Sequence, residues 1–205
     1  DWGISATGGG SHYIARNNVA SQVGEAPPED TPPGGDAAAA EAKGAPEPMG
    51  PVTRFGAGGP DGSGYRWIDS REPGGPGFAW VEISGTGTRL VDVSDCDDCY
   101  ESAPVGFNFN FYGTNYGAVL VSSNGTLVFS PDEADSYSND PIPDTDEPNN
   151  LIALFWDDLD TEDTGDVYYQ VMGTAPNRRL VVEWKDVQKL GASSSRFTFQ
   201  AILEE

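Results

Sequence analysis

The sequence predicts an all-β fold, a β-sandwich of about ten short strands with an extended N-terminal arm on a Pro/Gly-rich linker, and three segments carry that expectation. In FNFNFY, Phe107, Phe109 and Phe111 fall on one face and Asn108 and Asn110 on the other. This period of two marks a half-buried strand. In VLVSSNGTLVFS, two β-rich segments flank Asn124-Gly125, a dipeptide suited to the positive φ angles of a type I′ hairpin turn. In NNLIALFW, the run from Leu151 to Trp156 is apolar without a break, the pattern of a strand covered on both faces.

From the N-terminus, residues 1–24 read as an arm whose strand candidates are His12, Tyr13 and Ile14, then Val19 and Val23. Residues 25–63 are rich in Pro, Gly and Ala and hold too few large apolar side chains to offset the entropy of ordering. They read as a flexible or polyproline-like linker. Within it, Asp36 to Lys43 hints at a helix, confined by Gly34-Gly35 and Gly44.

A domain over 64–205 follows, with strands expected near 65–69, 78–84, 88–93, 105–111, 117–122, 125–129, 151–156, 166–172, 179–185 and 196–203. Leu180, Val182 and Trp184 share one face, as do Phe197, Phe199, Ala201 and Leu203. Turns are marked by Pro73-Gly74-Gly75, Gly113-Thr114-Asn115, Asn124-Gly125 and Ala175-Pro176-Asn177. Many short strands at this spacing mean a sandwich or a barrel.

The formal net charge of -22 argues against nucleic acid as a partner, because neutralising phosphates requires clustered Lys and Arg. The eleven basic residues are scattered, with Arg178-Arg179 the one adjacent pair. No apolar run approaches the roughly 20 residues that span a bilayer. The chain begins with Asp1, and a removed signal peptide is one expectation that accounts for this.

Cys96 and Cys99 lie in SDCDDCY. A structural zinc site needs two further Cys or His ligands, and His12 is the sole histidine. Asp97-Asp98 would raise the thiol pKa, against a redox role. A local disulfide in an oxidising compartment is the preferred reading, and two free thiols are the alternative.

Nothing in the chain reads as a reaction centre, and it is expected not to be an enzyme. A Ser-His-Asp triad would have to use His12, in the arm, and no G-x-S-x-G elbow occurs. Asp163-Thr164-Gly165 spells the DTG of aspartic proteases, but no apolar strand precedes it and acids crowd it. A polar hairpin loop explains it better.

The acids suit a metal better. Asp157, Asp158, Asp160 and Glu162 follow the apolar run closely, with Asp163 and Asp166 just beyond, and calcium takes six to eight oxygen ligands from such groups. Asp157 and Asp158 are the first choices because they adjoin the expected buried strand. Asp144, Asp146 and Glu147 supply further ligands if their loop lies nearby. A solvated acidic loop is the plain alternative. Tyr65, Trp67 and Trp80 would suit a sugar-stacking platform, although alternating aromatics are more often core. Asn124-Gly125-Thr126 also fits a glycosylation sequon.

Taken in order, FNFNFYGTNYGAVLVSSNGTLVFS, PNNLIALFWDDLD and GDVYYQVMGTAPNRRLVVEWKDV resemble a nidogen-type extracellular domain as found in bacterial secreted multidomain proteins. The preceding GYRWIDSREPGGPGFAWVEISGTGT resembles the segment before such modules, including those beside subtilisin-like protease domains. The resemblance covers about Gly64 to Leu203 and implies a secreted or cell-surface, non-catalytic protein with an adhesive or structural role. Such modules usually continue into a further strand after the one ending at Leu203, so if Glu205 is the true end an unpaired sheet edge is expected here, open to aggregation unless covered; the simpler alternative is a truncated domain with the arm as a linker. Strand addition by the arm of another copy would cover it and, being head-to-tail, would generate a homo-oligomer or filament. The alternative is an accessory module of a secreted hydrolase, binding calcium, an extracellular polymer or another surface ligand.

Overall fold

The computed structural model describes residues 4–7, 18–21, 56–140, 142 and 145–205, and among these alternation of large apolar and small or polar residues makes nearly all of the regular structure strand. In chain order come β1 (Ile4–Thr7), β2 (Asn18–Ser21), β3 (Ala57–Gly58), β4 (Arg66–Asp69), β5 (Thr88–Arg89) and the single-turn helix α1 (Val91–Ser94). Then follow β6 (Tyr100–Phe111), β7 (Thr114–Ser122), β8 (Thr126–Val128), β9 (Leu151–Ala153), β10 (Leu159–Asp160), β11 (Asp166–Met172), β12 (Arg179–Lys189) and β13 (Ala192–Glu204). Three sheets result: β1-β4-β3, β6-β7-β8-β9, and β2-β13-β12-β11-β5 with β10 alongside β12. All strand pairs are antiparallel.

The two larger sheets share one core. Ala103, Val105, Phe107 and Phe109 of β6 and Val119 and Val121 of β7 meet Leu180, Val182 and Trp184 of β12 and Phe199, Ala201 and Leu203 of β13. These are the inward positions of a period-two pattern. Trp184 is fully buried, stacks on Phe199 at 4.9 Å, and donates its indole N–H to Ser122 O at 2.9 Å in the opposite sheet. Each such side chain contributes about 2–3 kcal/mol by burial.

Several segments depart from the expected strands. Residues 78–84 form no strand; the segment lies against the outer face of the large sheet, where Val81 and Ile83 pack on Val181, Ile202, Tyr168 and Met172. Its backbone is held by side chains. Gln200 accepts from Val81 N–H and donates to Val81 O, both at 3.0 Å, and Glu183 accepts from Ile83 N–H at 3.0 Å. The strand expected at 88–93 ends at Arg89 and gives way to α1, because Leu90 and Val93, three apart, are both buried.

The run Leu151–Trp156 is not a strand covered on both faces. β9 stops at Ala153, which is exposed, and lies at a sheet edge. Beyond it the N–H groups of Leu154 and Phe155 both point to Gly125 O at 3.2 Å, which bends the chain out of the ladder. The Asn124-Gly125 hairpin is not type I′ either. Gly125 has φ +74° while Asn124 is not among the positive-φ residues. With Val121 opposite Leu127, Ser123 to Gly125 form a three-residue loop with its left-handed residue at Gly125.

The outer edge of β13 is paired. Phe197 to Gln200 take Ser21 to Asn18 of the same chain as their antiparallel partner. Val19 stands opposite Phe199. His12, Tyr13, Ile14 and Val23, and the helix hinted at over residues 36–43, lie outside the described residues.

Candidate metal centre

The Cys96–Cys99 disulfide closes a tight loop directly after α1, and that loop holds Asp97 and Asp98. The hairpin loop before β8 holds it in place. Ser123 Oγ donates to Asp97 O and accepts from Cys99 N–H at 3.1 Å. Asn124 Nδ2 donates to Asp98 Oδ1 at 2.9 Å and to Asp135 O at 3.0 Å, while Asn124 Oδ1 accepts from Leu159 N–H at 2.8 Å. Thr161 Oγ1 lies 2.6 Å from Val93 O and 2.5 Å from Cys96 O. Loop 96–99, the hairpin turn and the entry to β10 are thereby locked together.

At this junction one carboxylate oxygen each from Asp97, Asp98 and Asp158 lies within 4.8 Å of the others. Asp97 Oδ1 and Asp158 Oδ1 are buried and accept no hydrogen bond within the described structure. Burial is the main cause that raises both carboxyls above their ordinary range. For Asp97 the charges of Asp98, Asp160, Asp158 and Glu162 add to it. For Asp158 those of Asp98, Asp157 and Asp160 add, and Lys189 opposes them.

Of the four acids singled out after the apolar run, Asp158 alone joins this cluster. Both oxygens of Asp157 accept from Lys189 Nζ, at 2.8 and 2.7 Å. Asp160 is buried, accepting from Gln188 Nε2 at 2.8 Å and from Glu162 N–H at 2.8 Å. Glu162 and Asp163 are exposed. Asp97 and Asp98 were not among the ligands expected from the sequence. The available signal was a pair of acids enclosed by two cysteines, a spacing that forces both carboxylates onto a loop of fixed shape.

The other candidates sort by burial. Asn124 is fully buried with its amide spent on three hydrogen bonds, so this sequon is structural. Tyr65 packs into the fold against Phe111 and stacks on Tyr112, whereas Trp67 on β4 is 41% exposed. Thr164 and Gly165 lead into β11, and a Cβ at Gly165 would meet the Val187 backbone at 2.7 Å; the loop is not the hairpin expected, because β10 and β11 both pair with β12 and not with each other.

Three convergent carboxylates, two with buried and unpartnered oxygens, suit a hard divalent cation, since buried charge is otherwise paired or neutralised. Asp97, Asp98 and Asp158 would hold it, with water completing the shell. Among the described residues no helix is long and apolar enough to cross a membrane. A family model described as NIDO related matches residues 76–205. No curated protein and no solved structure matches the chain.

Proposed function

Because the chain belongs to the NIDO-related family, we propose that it is an extracellular, non-enzymatic structural or adhesive protein whose N-terminal arm adds a strand to another copy, building a filament or surface assembly. The observation that carries this reading is the pairing of Asn18–Ser21 along the edge of β13. In the single chain that pairing is made internally. The same register made between chains would be β-augmentation, with main-chain hydrogen bonds supplying affinity. Residues 22–55 connect the arm to the domain, and a fully extended stretch of that length reaches on the order of 110 Å. Its length therefore permits both the internal and the exchanged pairing. Head-to-tail exchange does not close, so it propagates. The disulfide supports an oxidising, extracellular setting.

Light scattering and electron microscopy of the whole chain across a concentration series, beside a chain lacking residues 1–21, test this. Concentration-dependent oligomers or filaments that vanish on deletion are expected. Monomers at every concentration would overturn the assembly role.

A second reading, a calcium-binding accessory module of a secreted hydrolase, is favoured by one observation, the unpartnered buried oxygens of Asp97 and Asp158. A bound calcium ion would compensate their charge and tie the disulfide loop to the sandwich. Calorimetric titration with calcium separates this reading from the first, and heat absent at millimolar ion would remove it.

A further inference from the structure

A cleft of about 280 Å³ opens between the turn after β6 and the loop leading into β9, and its described lining includes no residue of the disulfide loop. Phe111, Tyr112 and Trp156 contribute aromatic surface, and Asp140, Asp146 and Glu147 bring carboxylates. Among the described residues, none of those lining it carries a cationic side chain.

Its walls are preset. Tyr112 is half exposed at φ +46°, a conformation that costs free energy for a residue with a Cβ and persists because its surroundings impose it. The Tyr65 ring stacks on that of Tyr112 at 4.3 Å, the Tyr65 hydroxyl accepts from Tyr112 N–H at 2.8 Å, and the Tyr112 hydroxyl donates to Asp61 at 2.9 Å. Phe111 meets the same ring edge-on at 4.8 Å. Trp156 donates its indole N–H to Ser136 O at 2.9 Å, and Glu147 accepts from Asn149 N–H at 2.6 Å.

We propose that this cleft binds a lysine or arginine side chain presented by a partner protein. Aromatic faces attract a cation through the ring quadrupole, and the carboxylates deepen the negative potential. A bare metal ion fits less well, because among the described residues the carboxylates that converge to within 4.8 Å are those of Asp97, Asp98 and Asp158, not those of this cleft. The alkyl stem of a basic side chain fills apolar surface while its head meets the acids. A neutral sugar would use the rings and gain nothing from the negative potential.

Nuclear magnetic resonance titration of the whole chain with N-acetyl-L-arginine amide, and with its neutral isostere N-acetyl-L-citrulline amide, tests this. Saturable shifts at the Trp156 indole and at the Tyr112 and Glu147 amides are expected. The citrulline probe should bind at least fivefold more weakly, and an Asp140→Asn/Glu147→Gln chain should lose at least fivefold in arginine affinity. Equal binding of the two probes, or no shifts, overturns the proposal on the unaltered protein, independently of how the variant folds. So does saturation by a neutral disaccharide without any response to arginine.

Discussion

Asn124 Nδ2 donates to Asp98 Oδ1 at 2.9 Å, so the residue that opens the hairpin before β8 also anchors the loop closed by Cys96 and Cys99. The same side chain accepts from the buried Leu159 N–H at 2.8 Å. Three segments distant in sequence converge on one amide.

Asn124→Ala should therefore cost more than a turn substitution. It leaves Leu159 N–H without its acceptor in a dry site, a penalty of about 2–3 kcal/mol. Urea unfolding should show a lower midpoint with an unchanged slope. Expression in a glycosylating host should leave Asn124 unmodified, as intact-mass measurement before and after glycosidase treatment would show.

Gly125→Ala and Gly117→Ala form a matched pair. At Gly125, with φ +74°, an added Cβ would lie 2.3 Å from Phe155 O; at Gly117 it would meet nothing within 4 Å. The first should destabilise by about 2–4 kcal/mol, combining left-handed strain with backbone displacement. The second should stay within about 0.5 kcal/mol. Calorimetry of both chains checks the contrast.

Glu183 is fully buried; its Oε2 accepts from Ile83 N–H at 3.0 Å and its Oε1 has no hydrogen bond among the described residues. Burial above all raises its pKa, Glu82 adds to the rise, and the Ile83 N–H and Lys185 pull against it. The folded protein thus binds this proton more tightly than the unfolded chain does. This group's contribution to stability rises as pH falls through the raised folded pKa and is at its least favourable at neutral pH. Glu183→Gln keeps the acceptor for Ile83 and should stabilise at pH 7 by about 1 kcal/mol, with the advantage shrinking toward acid pH.

Glu82 acts in the opposite sense. The Ser84 hydroxyl, followed by the Ser84 N–H and Lys185, lowers its pKa to about 2. Its stabilising contribution is present above the ordinary carboxyl range and is lost as pH falls toward 2. Thermal melts of Glu82→Gln and Glu183→Gln between pH 2 and 7 should diverge from the unaltered protein in opposite directions near pH 7, the first lower and the second higher, and both should converge on it toward pH 2.

Asp158→Asn should raise the melting temperature in the presence of chelator, because it removes one of two buried, like-charged and unpartnered oxygens. It should also abolish any rise in melting temperature on adding millimolar calcium. Asp157→Asn, which removes the partner of Lys189, should leave a calcium response intact. Equal calcium responses from both variants would place the ion elsewhere.

Strand identity was legible wherever burial follows local alternation. Phe107 and Phe109, Leu180, Val182 and Trp184, and Phe199, Ala201 and Leu203 all reached the shared core, because a period of two specifies a face without reference to any distant residue. The alternation in Phe78–Ile83 misled for an instructive reason. Val81 and Ile83 do face a sheet, but Gln200 and Glu183, a hundred or more residues downstream, satisfy their backbone groups in place of a neighbouring strand.

By itself the sequence determined the all-β class, the turn positions, the local cysteine pair and the family pattern, all properties of neighbours along the chain. Tertiary structure alone decided that Asp158 meets Asp97 and Asp98, that Asn124 is a buried clamp, and that Asn18–Ser21 lies on β13. Those outcomes depend on which elements pack together, and an acidic residue carries no local mark of the carboxylate it will face sixty residues away.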